Sequence, residues 1–426
     1  MNLSLNKVLS LRGDFKIPSD KSLSHRAVMF NSIAYGDAKI SNFLMGEDCL
    51  STIDVLQKLG VKIKVEGSTV YTYGKGINDL SKPKDILYVG NSGTTIRLMS
   101  GILAGRDFES TLDGDLSIRK RPMKRIIKPL SMMGANISAL NNNENAPINF
   151  SGGTLSDLNY ELPVASAQLK SALILAGLRS NGKVIIKEKD VSRDHTERLL
   201  MGMGANINKT GLQIEISPSE LQSNDLVIPG DISSAAFWMV AASIHSDAEL
   251  NILNVGINET RAGIISVLDR MGANLEFNNK VQYSGEPACD IAVKSSKLKG
   301  TTISGKEIPL LIDEIPIIAL AAVFAEGETR ITDAKELRYK ESDRISLTVD
   351  WMRKAGADIE ELDDGMIING TYNINGGYFS SHGDHRLAMT LGIASLVSEK
   401  TIKIENPDAA NVSYPNFWET LNTIGN

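Results

Sequence analysis

The chain has 426 residues, 42% of them apolar, with a formal net charge of −6 and two cysteines, Cys49 and Cys289. That length exceeds one ordinary core, so two domains are expected. The negative balance argues against a nucleic-acid surface, two cysteines against a disulfide scaffold or a cysteine metal cage, and the lack of any run of about 18 apolar residues against a membrane span.

In chain order, residues 2–17 read as a strand, and the first seven carry no apolar h-region or small-residue cleavage site. A cytoplasmic protein is expected. A helix then opens with Asp20-Lys21-Ser22-Leu23-Ser24-His25-Arg26 and continues through Ala27-Val28-Met29-Phe30. If Ser22 caps it, Arg26 lies one turn on and faces the same mouth as Lys21. A capped helix with solvated charges fits this segment equally well. Gly90-Asn91-Ser92-Gly93-Thr94-Thr95 follows a strand-like stretch and opens a second apolar helix. Its glycines suit an anion on the backbone, yet the spacing is neither a P-loop nor a dinucleotide fingerprint, and a plain strand-to-helix turn also fits. Arg119-Lys120-Arg121-Pro122-Met123-Lys124-Arg125 holds five basic residues in seven. Pro122 reads as a helix start with Arg121 at its mouth, although such runs usually coat a solvated face.

Ala165-Ser166-Ala167-Gln168 opens a third apolar helix, where Ser166 and Gln168 offer neutral donors. His195, in Ser192-Arg193-Asp194-His195, reads as a polar contact. Gly230-Asp231-Ile232-Ser233 opens a fourth apolar helix, Ile312-Asp313-Glu314 a fifth and Gly383-Asp384-His385-Arg386 a sixth. Asp313 and Glu314 stand beside Leu310-Leu311-Ile312, where desolvation tunes a carboxylate for proton transfer. Lys340-Glu341-Ser342-Asp343-Arg344 sets Lys340 and Arg344 at i, i+4 with Glu341 one turn before Arg344; a surface ion-pair helix fits as well. No Cys or carboxylate spacing near His382 and His385 resembles a zinc site, so no metal is expected.

One phrase recurs through this order: an amphipathic helix, a glycine, then a short strand. It ends in Gly60, Gly134, Gly204, Gly272 and Gly356, roughly every 70 to 85 residues. The glycine stands where a helix needs a left-handed residue after its cap. Helices apolar most of the way round are buried helices, so six of them imply three per domain with sheets outside. The sixth unit ends at residue 426 before any strand, so the N-terminal strand is expected to complete it. The domains are then 1–17 plus 229–426, carrying the acid–base carboxylates, and 18–228, carrying most anion-binding residues, with an active site in the cleft between them. In five of the six units, groups suited to phosphate or proton chemistry fall at a helix start. Solvated charges predict no such phasing, whereas helix N-termini attract anions.

Asp20-Lys21-Ser22-Leu23-Ser24-His25-Arg26, Gly90-Asn91-Ser92-Gly93-Thr94, Lys120-Arg121-Pro122, Ala165-Ser166-Ala167-Gln168, Pro229-Gly230-Asp231-Ile232-Ser233-Ser234-Ala235, Lys340-Glu341-Ser342-Asp343-Arg344 and Gly383-Asp384-His385-Arg386 stand in this order along the whole chain. Together they resemble the 5-enolpyruvylshikimate-3-phosphate (EPSP) synthase family. The resemblance implies an α/β fold of two similar domains, each of three βαβαββ-type units with inner buried helices and outer sheets. It implies transfer of the enolpyruvyl group of phosphoenolpyruvate to the 5-hydroxyl of shikimate-3-phosphate, on the route to chorismate and aromatic amino acids, by a monomer without cofactor. It assigns Lys21, Ser22, Arg26, Ser166, Gln168, Asp313 and Lys340 to shikimate-3-phosphate. To phosphoenolpyruvate it assigns Lys21, Gly93, Arg121, Gln168, Arg344 and Arg386. The catalytic set is Asp313 as base, Glu341 as acid, and Lys21, with His385 assisting. One branch of the family has a lysine near position 411–412; here Ala410-Asn411-Val412-Ser413 has none. Glu336 replaces an Asn, Ala167 a Ser and His195 a Tyr, a pattern similar to the family's second class. The sister enzyme acting on UDP-N-acetylglucosamine uses a loop cysteine, and Gly114-Asp115-Leu116-Ser117-Ile118-Arg119 has none. A non-catalytic phosphate-binding scaffold is the other alternative, against which Lys21, Asp313 and Glu341 weigh.

Overall fold

The repeated glycines end helices as their spacing implies. Gly60, Gly134, Gly204, Gly272 and Gly356 have φ from +87° to +100° in the computed structural model, which describes residues 2–425. A Cβ on Gly204 would meet nothing within 4 Å, so the demand there is on backbone conformation and not on space.

Six helices are buried along almost their whole length: α1 (Lys21–Ser32), α2 (Gly93–Leu103), α3 (Ala167–Gly177), α4 (Ile232–Ile244), α5 (Ile315–Val323) and α6 (His385–Ser395). The first three share one apolar core and the last three a second. The chain divides into two compact units accordingly. One is Met1–Pro18, Pro229–Val281 and Pro287–Asn426; the other is Ser19–Ile228 with the hairpin tip Gln282–Glu286.

Five of the six repeats wrap an inner helix in the order strand, helix, strand, helix, strand, strand, whereas the sheet beside α6 has three strands among the described residues, Gly377–Ser380, Ile402–Glu405 and Asn2–Leu5. Around α2 the strands are Leu87–Tyr88, Glu109–Asp113, Ile137–Ala139 and Asn145–Ser151, with an outer helix Lys124–Met132. The first two strands run parallel, and the fourth lies antiparallel between the second and the third. The same order recurs around α3 and α5. Parallel neighbours need a crossover, and the inner helix supplies it. Around α1 and α4 the first strand comes from elsewhere in the chain: Leu226–Val227 and Leu11–Lys16.

The N-terminal stretch is therefore two strands and not one. Asn2–Leu5 pairs antiparallel with Ile402–Glu405 in the sheet of the sixth repeat, and Leu11–Lys16 runs parallel to the strand Ala248–Gly256 in the fourth. The break between them is held by Val8, whose N–H donates to the Leu396 carbonyl and whose carbonyl accepts from His245 Nε2.

Candidate active site

In the unit holding α1 to α3, the three inner helices begin beside one another. Asp20, not Ser22, caps α1: its Oδ1 accepts from the Leu23 N–H at 2.8 Å. Ser22 already lies inside the first turn, and the residue before the helix is the one placed to reach back to it. Lys21 Nζ lies 3.0 Å from Asp48 Oδ2. Ser92 caps α2, accepting from the Thr95 N–H at 3.1 Å, which makes Gly93 the first helical residue. A Cβ on Gly93 would stand 2.7 Å from Arg121 Nη1, so the bare backbone is what lets that guanidinium lie against the helix start. Arg121 also donates to Asn91 Oδ1 at 2.6 Å. Pro122 does not open the next helix, which begins at Lys124 after a 3-10 turn at Ile118–Lys120 and an extended Arg121. Ser166 caps α3, its oxygen accepting from Leu169 at 3.4 Å; accepting leaves its hydroxyl hydrogen for another partner.

Side chains tie these starts into a closed triangle. His25 Nδ1 lies 2.7 Å from Thr52 Oγ1, which lies 2.7 Å from Thr95 Oγ1, joining α1 to α2. Gln168 joins α3 to α2, donating to Thr94 Oγ1 at 3.1 Å and accepting from Arg97. Arg26 joins α1 to α3 through Ser171 Oγ at 3.0 Å. Lys21, Arg26, Arg97 and Arg121 thus stand with three positive helix ends, an arrangement for anions.

The other unit builds the same triangle from acids. Asp231 caps α4, and Arg261 bridges Asp231 Oδ1 at 3.0 Å and Ser233 Oγ at 2.6 Å, while Ser233 Oγ donates to Glu314 before α5. Arg386 at α6 donates to the Ser233 carbonyl at 3.0 Å and lies over the Phe237 ring at 5.8 Å. Asp384 caps α6 through the Arg386 N–H at 2.8 Å. His385 is its first helical residue and is buried. Asp313 sits in a 3-10 turn, Ile312–Glu314, one turn before α5 rather than within it.

Arg344 joins the starts of α5 and α6. Its Nε and Nη2 grip Asp384 at 2.9 and 3.2 Å, Nη1 reaches Asp313 Oδ1 at 3.2 Å, and Nη2 reaches Glu341 Oε2 at 2.7 Å. Burial alone would lower its pKa, but Asp384, Glu341 and Asp313 reverse this and raise it above the ordinary value. Burial would raise the Asp384 carboxyl; Arg344 first, then His385, pull it below its usual range. Lys340 Nζ is 2.9 Å from Asp313 Oδ1. Lys340 and Arg344 do not share a helix, because Lys340 ends the 3-10 helix Lys335–Tyr339 in extended backbone and Arg344 begins the next helix under an Asp343 cap. They meet on Asp313 through this kink, not through an i, i+4 pairing. The Asp313 and Glu341 side chains remain 15% and 22% exposed, reachable by a ligand, while Arg344 beneath them is 1% exposed.

Arg97, Thr52, Ser171, Thr196 and Arg261 complete these networks and were not singled out in the sequence. Their signal was there: polar residues inside or beside otherwise apolar helices. Ala410-Asn411-Val412 forms part of a 3-10 turn, Pro407–Val412. Among the described residues, no three His, Cys, Asp or Glu side chains are grouped to hold a metal ion, and no helix is long and apolar enough to cross a membrane.

His25 supplies a pH test of the first triangle. Burial lowers its pKa to about 3, with the Asp48 charge acting the other way. The folded value lies below histidine's ordinary 6.5, so the unfolded chain binds the extra proton between the two. This contribution is fully present above the unfolded value and is lost as pH falls toward the folded one. Between about pH 7 and about pH 5 it is worth roughly 2 kcal/mol. His25→Asn is therefore expected to show a smaller shift of urea midpoint over that interval than the parent chain; equal shifts would show that His25 is not buried neutral.

The model of the family described as EPSP synthase (3-phosphoshikimate 1-carboxyvinyltransferase) matches residues 5–421. A Bacillus pumilus relative named 3-phosphoshikimate 1-carboxyvinyltransferase is 51% identical over 421 residues, covering 98% of each chain. A solved EPSP synthase from Acinetobacter baumannii superposes with a TM-score of 0.89 at 41% identity, over 100% of this chain and 98% of that one. The enolpyruvyl transferase NikO from Streptomyces tendae superposes with a TM-score of 0.80 at 15% identity, over 99% and 97% of the two chains, a likeness of fold.

Proposed function

We propose residue roles for a chain that belongs to the EPSP synthase family. Its α/β architecture is the enolpyruvyl transferase fold, and it transfers the enolpyruvyl group of phosphoenolpyruvate to shikimate-3-phosphate, a step of the shikimate pathway. The observation that carries the roles is the pair of reachable carboxylates, Asp313 and Glu341, on one buried guanidinium.

Asp313 accepts the proton of the 5-hydroxyl as that oxygen attacks C2 of phosphoenolpyruvate. Glu341 gives its proton to C3, turning the methylene into a methyl group. In the second half Glu341 takes a proton back from that methyl, the C2–O bond to phosphate breaks, and phosphate leaves with the electron pair. Protonation at C3 places positive charge on C2, which the substrate's own carboxylate stabilises when Arg344 and Arg386 hold it in place. Arg344 already gives four of its five N–H groups to Asp313, Glu341 and Asp384. An arriving carboxylate takes the fifth or displaces Glu341, which frees that acid beside C3. Lys21, Gly93, Arg121 and Gln168 hold the phosphoenolpyruvate phosphate, and Lys21 neutralises it as it departs. Lys21, Ser22, Arg26, Ser166, Gln168, Asp313 and Lys340 hold shikimate-3-phosphate, and His385 assists from beside Asp384. Both clusters serve this one reaction, in a cytoplasmic monomer that needs no cofactor.

A phosphate-release assay with each acceptor tests the reading. Release with phosphoenolpyruvate is expected with shikimate-3-phosphate and not with UDP-N-acetylglucosamine. The reverse pattern would reassign the acceptor, and no release with either would leave a binding scaffold.

A further inference from the structure

The Arg26 guanidinium sits in a hydrogen-bond circuit whose directions can be assigned atom by atom. Ser171 Oγ lies 2.6 Å from the Ala167 carbonyl, which only accepts, so the Ser171 hydrogen points there. The 2.6 Å contact between Ser171 Oγ and Thr196 Oγ1 is then donated by Thr196. Thr196 Oγ1 is left to accept, and Arg26 Nε donates to it at 2.7 Å. Arg26 Nη2 donates to Ser171 Oγ at 3.0 Å and Nη1 to the Ser22 carbonyl at 3.1 Å. One hydrogen on each Nη remains for a ligand, and such a pair suits a phosphate or carboxylate.

The frame behind the circuit is charged and dry. Lys170 and Glu197, the sequence neighbours of Ser171 and Thr196, form an ion pair at 2.8 Å with both side chains almost wholly buried. Lys170 also lies 3.1 Å from Glu188 and donates to the Ser192 carbonyl at 3.1 Å. Two rungs, 170 to 197 and 171 to 196, thus clamp α3 to the outer helix His195–Gly202. Burial lowers the Arg26 pKa to about 10, with Glu197 opposing that, so Arg26 is a cation at neutral pH. A long arginine has many rotamers, and fixing its plane before the ligand arrives removes an ordering cost from binding.

We propose that Thr196 and Ser171 are positioning residues that fix the Arg26 plane so that its remaining N–H pair meets the anionic group of shikimate-3-phosphate. The proposal rests on the assignment of Arg26 to that substrate. Thr196→Val keeps the shape and removes the hydroxyl; Ser171→Ala removes the second acceptor and serves if the first variant misfolds; Thr196→Ser restores the hydroxyl. In the full-length enzyme, Thr196→Val and Ser171→Ala are each expected to raise KM for shikimate-3-phosphate about tenfold. KM for phosphoenolpyruvate and kcat are expected to stay within about twofold, and Thr196→Ser to return near the parent values. A merely structural role would move both KM values together, and that outcome overturns the proposal. So does a raised KM in Arg26→Ala beside parent values in Thr196→Val and Ser171→Ala, which would leave the assignment of Arg26 standing. An Arg26→Ala enzyme with unchanged KM overturns that assignment and the positioning role with it.

Discussion

Asp313→Ala and Asp313→Asn are both expected to lower kcat by about a thousandfold, within the range for loss of a positioned general base. The pair of substitutions separates the need for a carboxylate from the need for a hydrogen-bond acceptor. Asp313 Oδ1 receives Lys340 Nζ at 2.9 Å and Arg344 Nη1 at 3.2 Å. Alanine removes those contacts and leaves two cations facing each other. Asparagine keeps an acceptor oxygen for both, with nearly the same volume, yet cannot take the proton of an attacking hydroxyl. If Asp313 served only as a hydrogen-bond acceptor for Lys340 and Arg344, the two variants would differ and asparagine would retain much of the activity. Equal, deep losses show that the carboxylate itself is required, as the role of proton acceptor demands. Folding is checked by circular dichroism and by the urea midpoint, because Arg344 keeps Asp384 and Glu341 in either variant. Turnover in Asp313→Asn near the parent rate would remove Asp313 from the mechanism.

Much of this site lay open in the sequence because it is written in local rules. Glycines at 60, 134, 204, 272 and 356 need no neighbour to demand a left-handed residue, and the apolar helices need only their own composition to be read as buried. The placement of Lys21, Gly93, Gln168, Asp384 and Arg386 near helix starts follows from the same punctuation. What stayed hidden depends on contacts between distant segments. Whether Asp20 or Ser22 caps α1 turns on where the backbone first becomes helical, which is at Lys21. Lys340 and Arg344 reach one oxygen only because the chain kinks between them, which no spacing rule contains. The split of the N-terminal stretch depends on Leu396 and His245, remote in the chain, which hold the break at Val8. Lys170 and Ser171 did leave a mark, a charge and a hydroxyl inside an otherwise apolar helix. A buried charge needs a partner, and here the partners, Glu188 and Glu197, lie in the next strand-to-helix segment.

Glu341→Gln is expected to lower kcat by a comparable two to three orders of magnitude, on the order of the general-acid contribution, with both KM values near the parent's. Glutamine is the informative replacement. Glu341 Oε2 accepts from Arg344 Nη2 at 2.7 Å, and an amide oxygen can accept the same hydrogen. Alanine would release that N–H and alter how Arg344 meets a substrate carboxylate, mixing a binding change into the rate. Glutamine keeps the bond and the volume but has no proton acidic enough to give to carbon. The chemistry also has a signature besides turnover. A methyl group formed at C3 by Glu341 can rotate before a proton is taken back. In deuterated water, with both substrates present, the parent enzyme is therefore expected to place deuterium in the recovered phosphoenolpyruvate methylene, read by proton resonance. Glu341→Gln is expected to place almost none. Asp313→Asn should lose the exchange too, since C3 is protonated only as the hydroxyl oxygen adds to C2. Exchange that survives in Glu341→Gln while turnover is lost would assign the carbon protonation to another group, and His385, buried beside Asp384 at the start of α6, would be the next candidate.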